Sequence, residues 1–235
     1  SGMVAEIDIL ESPFLFKDFE AVARFFESEG GKILEAEFEK RGITNIAWLD
    51  NGFNQMFNSK RPLRVPDDFK GVTMRSFGSG DAETLKALGA GPTVMSSSEM
   101  YMALQRGTMD GATTTMDAAV SRKITEVIKY ATESNYSVSQ IVLQVNKDWW
   151  DGLPSGTREL ISKAAKDTEV WVRHEIKAAD DAAREKIKAA GVEIYVPTDE
   201  DRKLLIEATE PVRENFVKNT GELAKKLVEI AKSLN

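Results

Sequence analysis

The chain has 235 residues, of which 42% are hydrophobic and 29% are charged, and it carries a formal net charge of -7 at pH 7. This composition is typical of a folded globular protein. The negative charge argues against binding to nucleic acid, because an acidic surface repels another polyanion. The sequence has no cysteine, which excludes disulfides, thiolate nucleophiles and cysteine-based metal sites, and it has a single histidine.

The N-terminal part predicts two helices and a strand. Apolar residues recur at helical spacing in residues 18–29, and the glycine pair Gly30 and Gly31 is expected to end this helix. A second helix is predicted for residues 32–41. The β-branched and aromatic residues of 43–49 predict a buried strand.

The middle of the chain alternates between strands and helices. Residues 53–71 predict a strand followed by a proline-containing loop. The elements predicted next are a strand (72–77), a helix (78–90), a strand (92–95), two helices (96–107 and 116–130) and a strand (137–145). This order is typical of an α/β fold.

The C-terminal part is dominated by one long helix. Residues 155–190 are amphipathic, and neither proline nor glycine interrupts them after Gly156. At ~1.5 Å per residue the helix is about 50 Å long, which is enough to span two lobes. A strand is predicted for 192–196, and then two helices between 199 and 234, the first interrupted near Pro211.

No catalytic site is predicted. The only histidine, His174, lies on the long helix, where a lone histidine is more often a surface residue than a catalyst. The stretch Gly78-Ser79-Gly80 lacks the third glycine and the distal acid of a dinucleotide-binding motif. We therefore expect no enzyme activity, no cofactor and no metal site. An α/β enzyme acting on an acid is an alternative that has only His174 as a candidate base.

Two segments in the middle of the chain resemble a transporter family. NGFNQMFNSKRPLRVPDDFKGVTMRSF (51–77) is followed by ALGAGPTVMSSSEMYMALQRGTMDG (87–111), in which E-x-Y-x-A-L-Q-x-G-x-x-D-G runs from Glu99 to Gly111. These segments are similar to those of the solute receptors of tripartite ATP-independent periplasmic (TRAP) transporters. The resemblance extends through NKDWWDGLP (146–154) and the long helix.

The resemblance implies an α/β, two-lobed fold like that of periplasmic binding proteins, with the long helix spanning both lobes. Lobe 1 is predicted to contain residues 1–51 and 137–178. Lobe 2, the carboxylate-binding lobe, is predicted to contain residues 52–136 and 179–235. Receptors of this family carry a further N-terminal segment, so the first lobe is expected to be incomplete and to expose an apolar edge.

The resemblance also implies a ligand site centred on Arg75. This residue matches the family arginine that pairs with the substrate carboxylate, and its planar guanidinium suits recognition of both carboxylate oxygens. The alternative is a surface arginine in a structural salt bridge. Thr113 and Thr114 lie where the family has its D-G-x-E-N phrase, and Thr114 takes the place of the asparagine, which indicates a different substrate.

Three further residues are expected to lie at the pocket. Asn54 takes the place of an arginine that is common in the family, and the loss of this second cation argues against a ligand that needs two basic partners. Ser97 and Gly78 match positions that line the pocket in other members. Their small size indicates a small or hydroxylated ligand.

The implied function is that of an extracytoplasmic receptor that binds a small organic acid and passes it to the TRAP membrane permease subunits. Periplasmic localisation follows from the family alone, because no signal peptide is visible in the sequence. The alternative is a shortened form that does not bind solute and serves as a structural or interaction module. In that case a homo-oligomer formed through the exposed lobe is expected.

Overall fold

The computed structural model describes residues 4–235, so the first three residues of the predicted first lobe lie outside it. Its strands are β1 (Ile43–Asn58), β2 (Thr73–Ser76), β3 (Gly91–Val94), β4 (Gly111–Thr115), β5 (Tyr130–Asn146) and β6 (Glu193–Tyr195). Its α-helices are α1 (Phe19–Glu27), α2 (Glu29–Glu39), α3 (Ser79–Leu88), α4 (Ser97–Gln105), α5 (Met116–Ser121), α6 (Lys147–Asp151), α7 (Ser155–Ala189), α8 (Asp199–Thr220) and α9 (Glu222–Ser233). Short 3-10 helices cover Ala5–Glu11, Pro66–Phe69 and Ile124–Glu126.

The described strands form one sheet in the order β3-β2-β4-β1-β5-β6. β2 runs parallel to β3 and β4, and β5 runs parallel to β6, whereas β1 is antiparallel to both of its neighbours. β1 and β5 pair from Ile43 opposite Asn146 to Asn58 opposite Tyr130. The other strands join only near the Asn58 end, so the opposite end of this long pair is a two-stranded ribbon.

β1 is one continuous strand, whereas the sequence predicts two. Its pairing with β5 shifts register between Asp50 and Phe53, where Gly52 has a φ of 101°. Glycine adopts this left-handed backbone without steric cost. A bulge of this kind lets a strand bend while its pairing continues, so the two predicted strands are the two halves of β1.

Among the residues that the structure describes, three hydrophobic clusters stabilise the fold. The first contains Leu34 of α2, Trp48 of β1 and Leu227 of α9. The other two lie on opposite faces of the sheet, one around Phe57 and one around Met56. Because these two residues are consecutive in a strand, their side chains point to opposite faces.

The predicted long helix is confirmed as α7, which has 35 residues. It lies along β1 and β5. Glu169 accepts a hydrogen bond from the Trp48 amide at 2.8 Å, and farther along the helix Arg184 lies 2.5 Å from Glu133. The bounds of the two lobes stay a prediction, and the packing of α9 in the first cluster favours placing residues 222–233 in lobe 1.

Gly30 and Gly31 do not end a helix, contrary to the sequence prediction, but lie in the first turn of α2. Ser28 separates the helices: its hydroxyl donates to the Phe25 carbonyl at 2.7 Å and accepts from the Gly30 amide at 3.0 Å. A Cβ atom on Gly30 would lie 2.4 Å from the Phe25 ring, and one on Gly31 would lie 2.0 Å from the Phe26 carbonyl oxygen. The glycines therefore allow α2 to approach α1 closely.

Two other helix predictions were wrong. α5 ends at Ser121 and does not reach Tyr130, because Lys123 adopts a left-handed backbone with a φ of 58°. α8 continues through Pro211 without interruption. Proline there removes only one helical donor, the one that would reach the Glu207 carbonyl. None of the helices within residues 4–235 has the length and apolar character needed to cross a membrane.

Candidate ligand-binding site

Arg75 is a buried cation near the end of β2, with 3% of its surface exposed. Its Nε donates to the Met95 carbonyl at 2.9 Å, its Nη1 to the Thr113 carbonyl at 3.0 Å and its Nη2 to the Ser97 hydroxyl at 3.2 Å. A guanidinium has five N–H donors. These contacts hold the group in place and leave one further donor on each terminal nitrogen, which is the arrangement needed to bind both oxygens of a carboxylate.

Arg75 is therefore not a surface arginine in a structural salt bridge. Among the described residues, no carboxylate oxygen lies within 4.0 Å of its guanidinium. Burial lowers the pKa of Arg75, the charge of Asp81 opposes this shift and the charge of Arg122 adds to it. The guanidinium nevertheless stays protonated, since arginine does not lose its proton in proteins.

Thr113 contacts Arg75 through its carbonyl oxygen, and its hydroxyl has a different partner. The hydroxyl donates to Asp81 at 2.6 Å. The fully buried Asp81 carboxylate also accepts from the Tyr136 hydroxyl at 2.5 Å and from the Phe77 amide at 3.1 Å. Burial raises the pKa of Asp81 to about 6, although these hydrogen bonds lower it. This network fixes the strand that holds Arg75.

Thr114 lies on the same face of the sheet as Arg75. Arg75 pairs with Ala112 across β2 and β4, and side chains two residues apart in a strand share a face. The Thr114 hydroxyl accepts from Nη1 of Arg122 at 3.4 Å. The sequence did not indicate this contact, because Arg122 falls inside the stretch that was predicted to continue as a helix to Tyr130.

The structure places Ser97 with Arg75 but gives Asn54 a local partner. Ser97 is the first residue of α4 and accepts from Arg75. Asn54 is 4% exposed and donates to the Ser137 hydroxyl at 3.0 Å, which joins β1 to β5. Its ligand role stays a prediction, as do those of Arg75, Ser97, Thr113 and Thr114.

Gly78 precedes α3 and is covered by a side chain of the protein itself. A Cβ atom on Gly78 would lie 3.0 Å from an oxygen of Glu11, and the same carboxylate accepts from the Asp81 amide at 3.2 Å. Glu11 thus occupies the N-terminal end of α3. Burial raises the pKa of Glu11, and the neighbouring charges of Asp8 and Asp81 add to this shift.

A cavity of about 680 Å³ lies between α1, the two long strands and α7, and none of the six predicted site residues lines it. Two of the three arginines that line it have acidic partners: Arg173 lies 2.9 Å from Glu27, and Arg184 lies 2.5 Å from Glu133. The third, Arg24, donates to the Leu234 carbonyl at 2.6 Å. Size alone favours this cavity as a ligand site. The ligand site at Arg75 stays a prediction, which is favoured by a buried guanidinium that has no carboxylate oxygen within 4.0 Å among residues 4–235.

Neither a catalytic centre nor a metal centre is evident in residues 4–235. The imidazole of His174 is exposed on α7, and its Nδ1 lies 2.9 Å from Glu175. No three His, Asp or Glu side chains within this range converge so as to hold a metal ion.

Residues 1–220 match the family model described as bacterial extracellular solute-binding protein, family 7 (DctP). The chain belongs to this family. It is 36% identical to the C4-dicarboxylate-binding periplasmic protein DctP of Rhodobacter capsulatus, over 93% of this chain and 66% of the relative. It is 30% identical to the protein of the same name from Vibrio cholerae, over 91% of this chain and 64% of the relative. The chain thus spans slightly less than two thirds of the length of these relatives.

Solved structures of solute-binding proteins confirm the predicted α/β, two-lobed fold. A TRAP periplasmic solute-binding protein from Roseobacter denitrificans with bound β-D-glucuronate matches with a TM-score of 0.92 and 26% identity, over 98% of this chain and 76% of the other. A TRAP periplasmic solute-binding protein from Shewanella oneidensis with bound succinate matches with a TM-score of 0.92 and 27% identity, over 99% of this chain and 76% of the other.

Proposed function

We propose that this family 7 chain is a solute receptor of a TRAP transporter that binds a small organic carboxylate through Arg75 in a cleft between two lobes. The observation that carries the proposal is the buried Arg75 guanidinium, which has free donors on both terminal nitrogens and no carboxylate in contact. A buried charge without a partner is unfavourable. A ligand carboxylate supplies the missing partner, and its hydrogen bonds are stronger in a cleft that excludes water.

The comparisons support a carboxylate as the ligand. The Rhodobacter capsulatus and Vibrio cholerae relatives are named for binding C4-dicarboxylates, and the two solved relatives hold succinate and glucuronate. We infer that the chain works in the periplasm, acts without catalysis and delivers its ligand to membrane permease subunits. The family membership supports each of these points.

Isothermal titration of the purified chain with succinate, glucuronate and butyrate tests the role of Arg75. Arg75→Ala is expected to weaken the binding of every acid that the wild type binds by ~30-fold or more, because it removes a buried charged donor pair. Arg75→Lys keeps the charge and loses the planar fork, so it is expected to recover part of the affinity. Arg106→Ala, an exposed arginine at the end of α4, is the control. Unchanged affinity in Arg75→Ala contradicts the proposal.

A second candidate function is an oligomeric interaction module that does not bind solute. Three large apolar side chains favour it: Ile141 and Leu143 of β5 are 52% and 47% exposed, and Trp171 of α7 is 64% exposed. Exposed apolar side chains of this kind are commonly covered by association. Native mass spectrometry distinguishes the candidates, because a monomer with one bound acid supports the receptor and an oligomer without ligand supports the module.

A further inference from the structure

The cavity of about 680 Å³ between α1, the two long strands and α7 is lined by both apolar and acidic side chains. Phe19 and Phe53 are its aromatic residues, with ring centroids 5.0 Å apart and planes inclined by 57°. Glu133, Asp180 and Asp181 supply carboxylates. The volume suits a small organic molecule, since ligand pockets commonly measure about 300–1,000 Å³.

Asp180 is a partly buried acid without a partner. Neither of its carboxylate oxygens accepts a hydrogen bond from residues 4–235, and no Lys or Arg nitrogen in this range lies within 4.0 Å of them. Its Oδ1 atom is buried beside the bulge of β1, since a Cβ atom on Gly52 would lie 3.4 Å from it. Glu133, by contrast, lies 2.5 Å from Arg184. An unpartnered carboxylate in such a position is unfavourable unless a donor from outside the chain reaches it.

The surroundings of Asp180 disfavour its charge further. Burial and the charges of Asp117, Glu133 and Asp181 raise the pKa of Asp180 to about 7, and every contribution to this shift raises it. In each other described carboxyl group with a raised pKa, a hydrogen bond or a cation opposes the shift; these groups belong to Glu11, Glu35, Asp50, Asp81 and Glu133. Asp180 thus lacks the compensation that the other acids receive.

The cations that line the cavity do not supply this compensation. Arg173 lies 2.9 Å from Glu27 and 3.6 Å from Asp50, and Arg184 pairs with Glu133. The other charged or titratable side chains that face the cavity are those of Lys17, Asp18, Glu20, Arg24, His174 and Lys177. None of them contributes to the pKa shift of Asp180.

We propose that this cavity is a second ligand site, which binds an organic cation whose protonated primary amine pairs with Asp180 and whose apolar part packs on Phe19 and Phe53. An ammonium group has three donors and no acceptor, so it suits a carboxylate that lacks donors. Aromatic rings add to the attraction when a cation lies near their faces. The site differs from the proposed receptor function in the charge of its ligand and in its position, because Arg75 does not line the cavity.

Phenethylamine and phenethyl alcohol test the site, because they share an apolar part and differ in charge. Isothermal titration of the chain at pH 8 is expected to show the amine bound ~10-fold or more tightly, the scale of one charge-assisted hydrogen bond. Asp180→Asn is expected to weaken the amine ~10-fold and to change the alcohol less than ~2-fold. This variant is expected to fold, because it removes a charge that has no partner.

Asp167→Asn is the matched control. Asp167 lies on the same helix, pairs with Lys163 at 2.6 Å and does not line the cavity. The variant therefore loses the same charge, and both affinities are expected to stay unchanged. At pH 5 the Asp180 carboxyl is protonated, so the wild type is expected to bind the amine ~10-fold more weakly than at pH 8, whereas Asp180→Asn is expected to bind it equally at both pH values.

The proposal is overturned if the wild type binds the amine and the alcohol equally, or if it does not bind the amine at pH 8. An unchanged amine affinity in Asp180→Asn also overturns it. Equal losses in Asp180→Asn and Asp167→Asn overturn it as well, because the attraction would then come from the net negative charge of the chain.

Discussion

The hydroxyl of Tyr136 lies 2.5 Å from a carboxylate oxygen of Asp81, and this contact links the long strand β5 to the hydrogen bonds that hold Arg75. The other oxygen of Asp81 accepts from Thr113, whose carbonyl oxygen holds Arg75. A chain of hydrogen bonds thus connects the strand that runs the length of the molecule with the guanidinium that we assign to the ligand. Because all members of the chain are buried, each depends on the others for its position.

Removal of the Tyr136 hydroxyl is expected to destabilise the fold and to weaken ligand binding. Tyr136→Phe leaves the buried Asp81 carboxylate with one donor fewer, which costs about 1–3 kcal/mol in the free energy of unfolding. The pKa of Asp81 is about 6, so the loss is expected to be larger at pH 8, where the carboxylate is charged, than at pH 5. Urea unfolding at both pH values measures it, and an equal loss at both contradicts the network.

The acidic side chains around Asp180 are expected to make the protein less stable as the pH rises. Burial, together with the charges of Asp117, Glu133 and Asp181, raises the pKa of Asp180 to about 7. The folded state therefore binds more protons than the unfolded state between the ordinary aspartate pKa of about 4 and pH 7, so stability falls as the pH rises through this window.

Asp180→Asn tests this effect. The variant is expected to raise the free energy of unfolding by about 1–3 kcal/mol at pH 8 and to have a much smaller effect at pH 4, where the carboxyl is neutral in the folded state and only about half ionised in the unfolded state. The neighbouring exposed Asp181→Asn is the control and is expected to give a smaller change. Urea unfolding between pH 4 and pH 8 provides the measurement. A destabilised Asp180→Asn at pH 8 would show that the carboxylate is favourably paired.

Substitution by alanine is expected to have opposite effects at two helical glycines. Gly31 lies where α1 and α2 approach closely, whereas Gly156 lies next to open space. A methyl group on Gly31 meets the Phe26 carbonyl oxygen at 2.0 Å, so Gly31→Ala is expected to lower the melting temperature through overpacking of about 1–3 kcal/mol. Gly156 is the second residue of α7, and nothing lies within 4 Å of the added methyl group, so Gly156→Ala is expected to stabilise by up to about 1 kcal/mol. Similar melting temperatures for both variants would contradict the packing at Gly31.

The position of Arg75 near the end of a strand was predictable, because the residues around it have the pattern of a short strand. Its ligand role, which the resemblance to the family implies, stays a prediction. Local patterns also predicted α7, since an amphipathic period without proline or glycine requires no tertiary information. The functional details were less accessible. The sequence indicated that Thr113 lies at the site, but not that its hydroxyl faces Asp81.

The errors arise where tertiary contacts override local preference. Gly30 and Gly31 are usual helix breakers, yet here they begin a helix that packs closely on its neighbour. The left-handed backbone of Lys123 ends α5 early and brings Arg122 to Thr114, and no local pattern in residues 116–130 marks that residue.

A crystal structure of the chain with succinate tests the central claim most directly. It is predicted to show one carboxylate accepting hydrogen bonds from Nη1 and Nη2 of Arg75, each at about 2.7–3.0 Å. The cavity of about 680 Å³ between α1 and α7 offers the competing position, beside Arg173 and Lys177. Succinate bound in that cavity with no ligand at Arg75 would contradict the account.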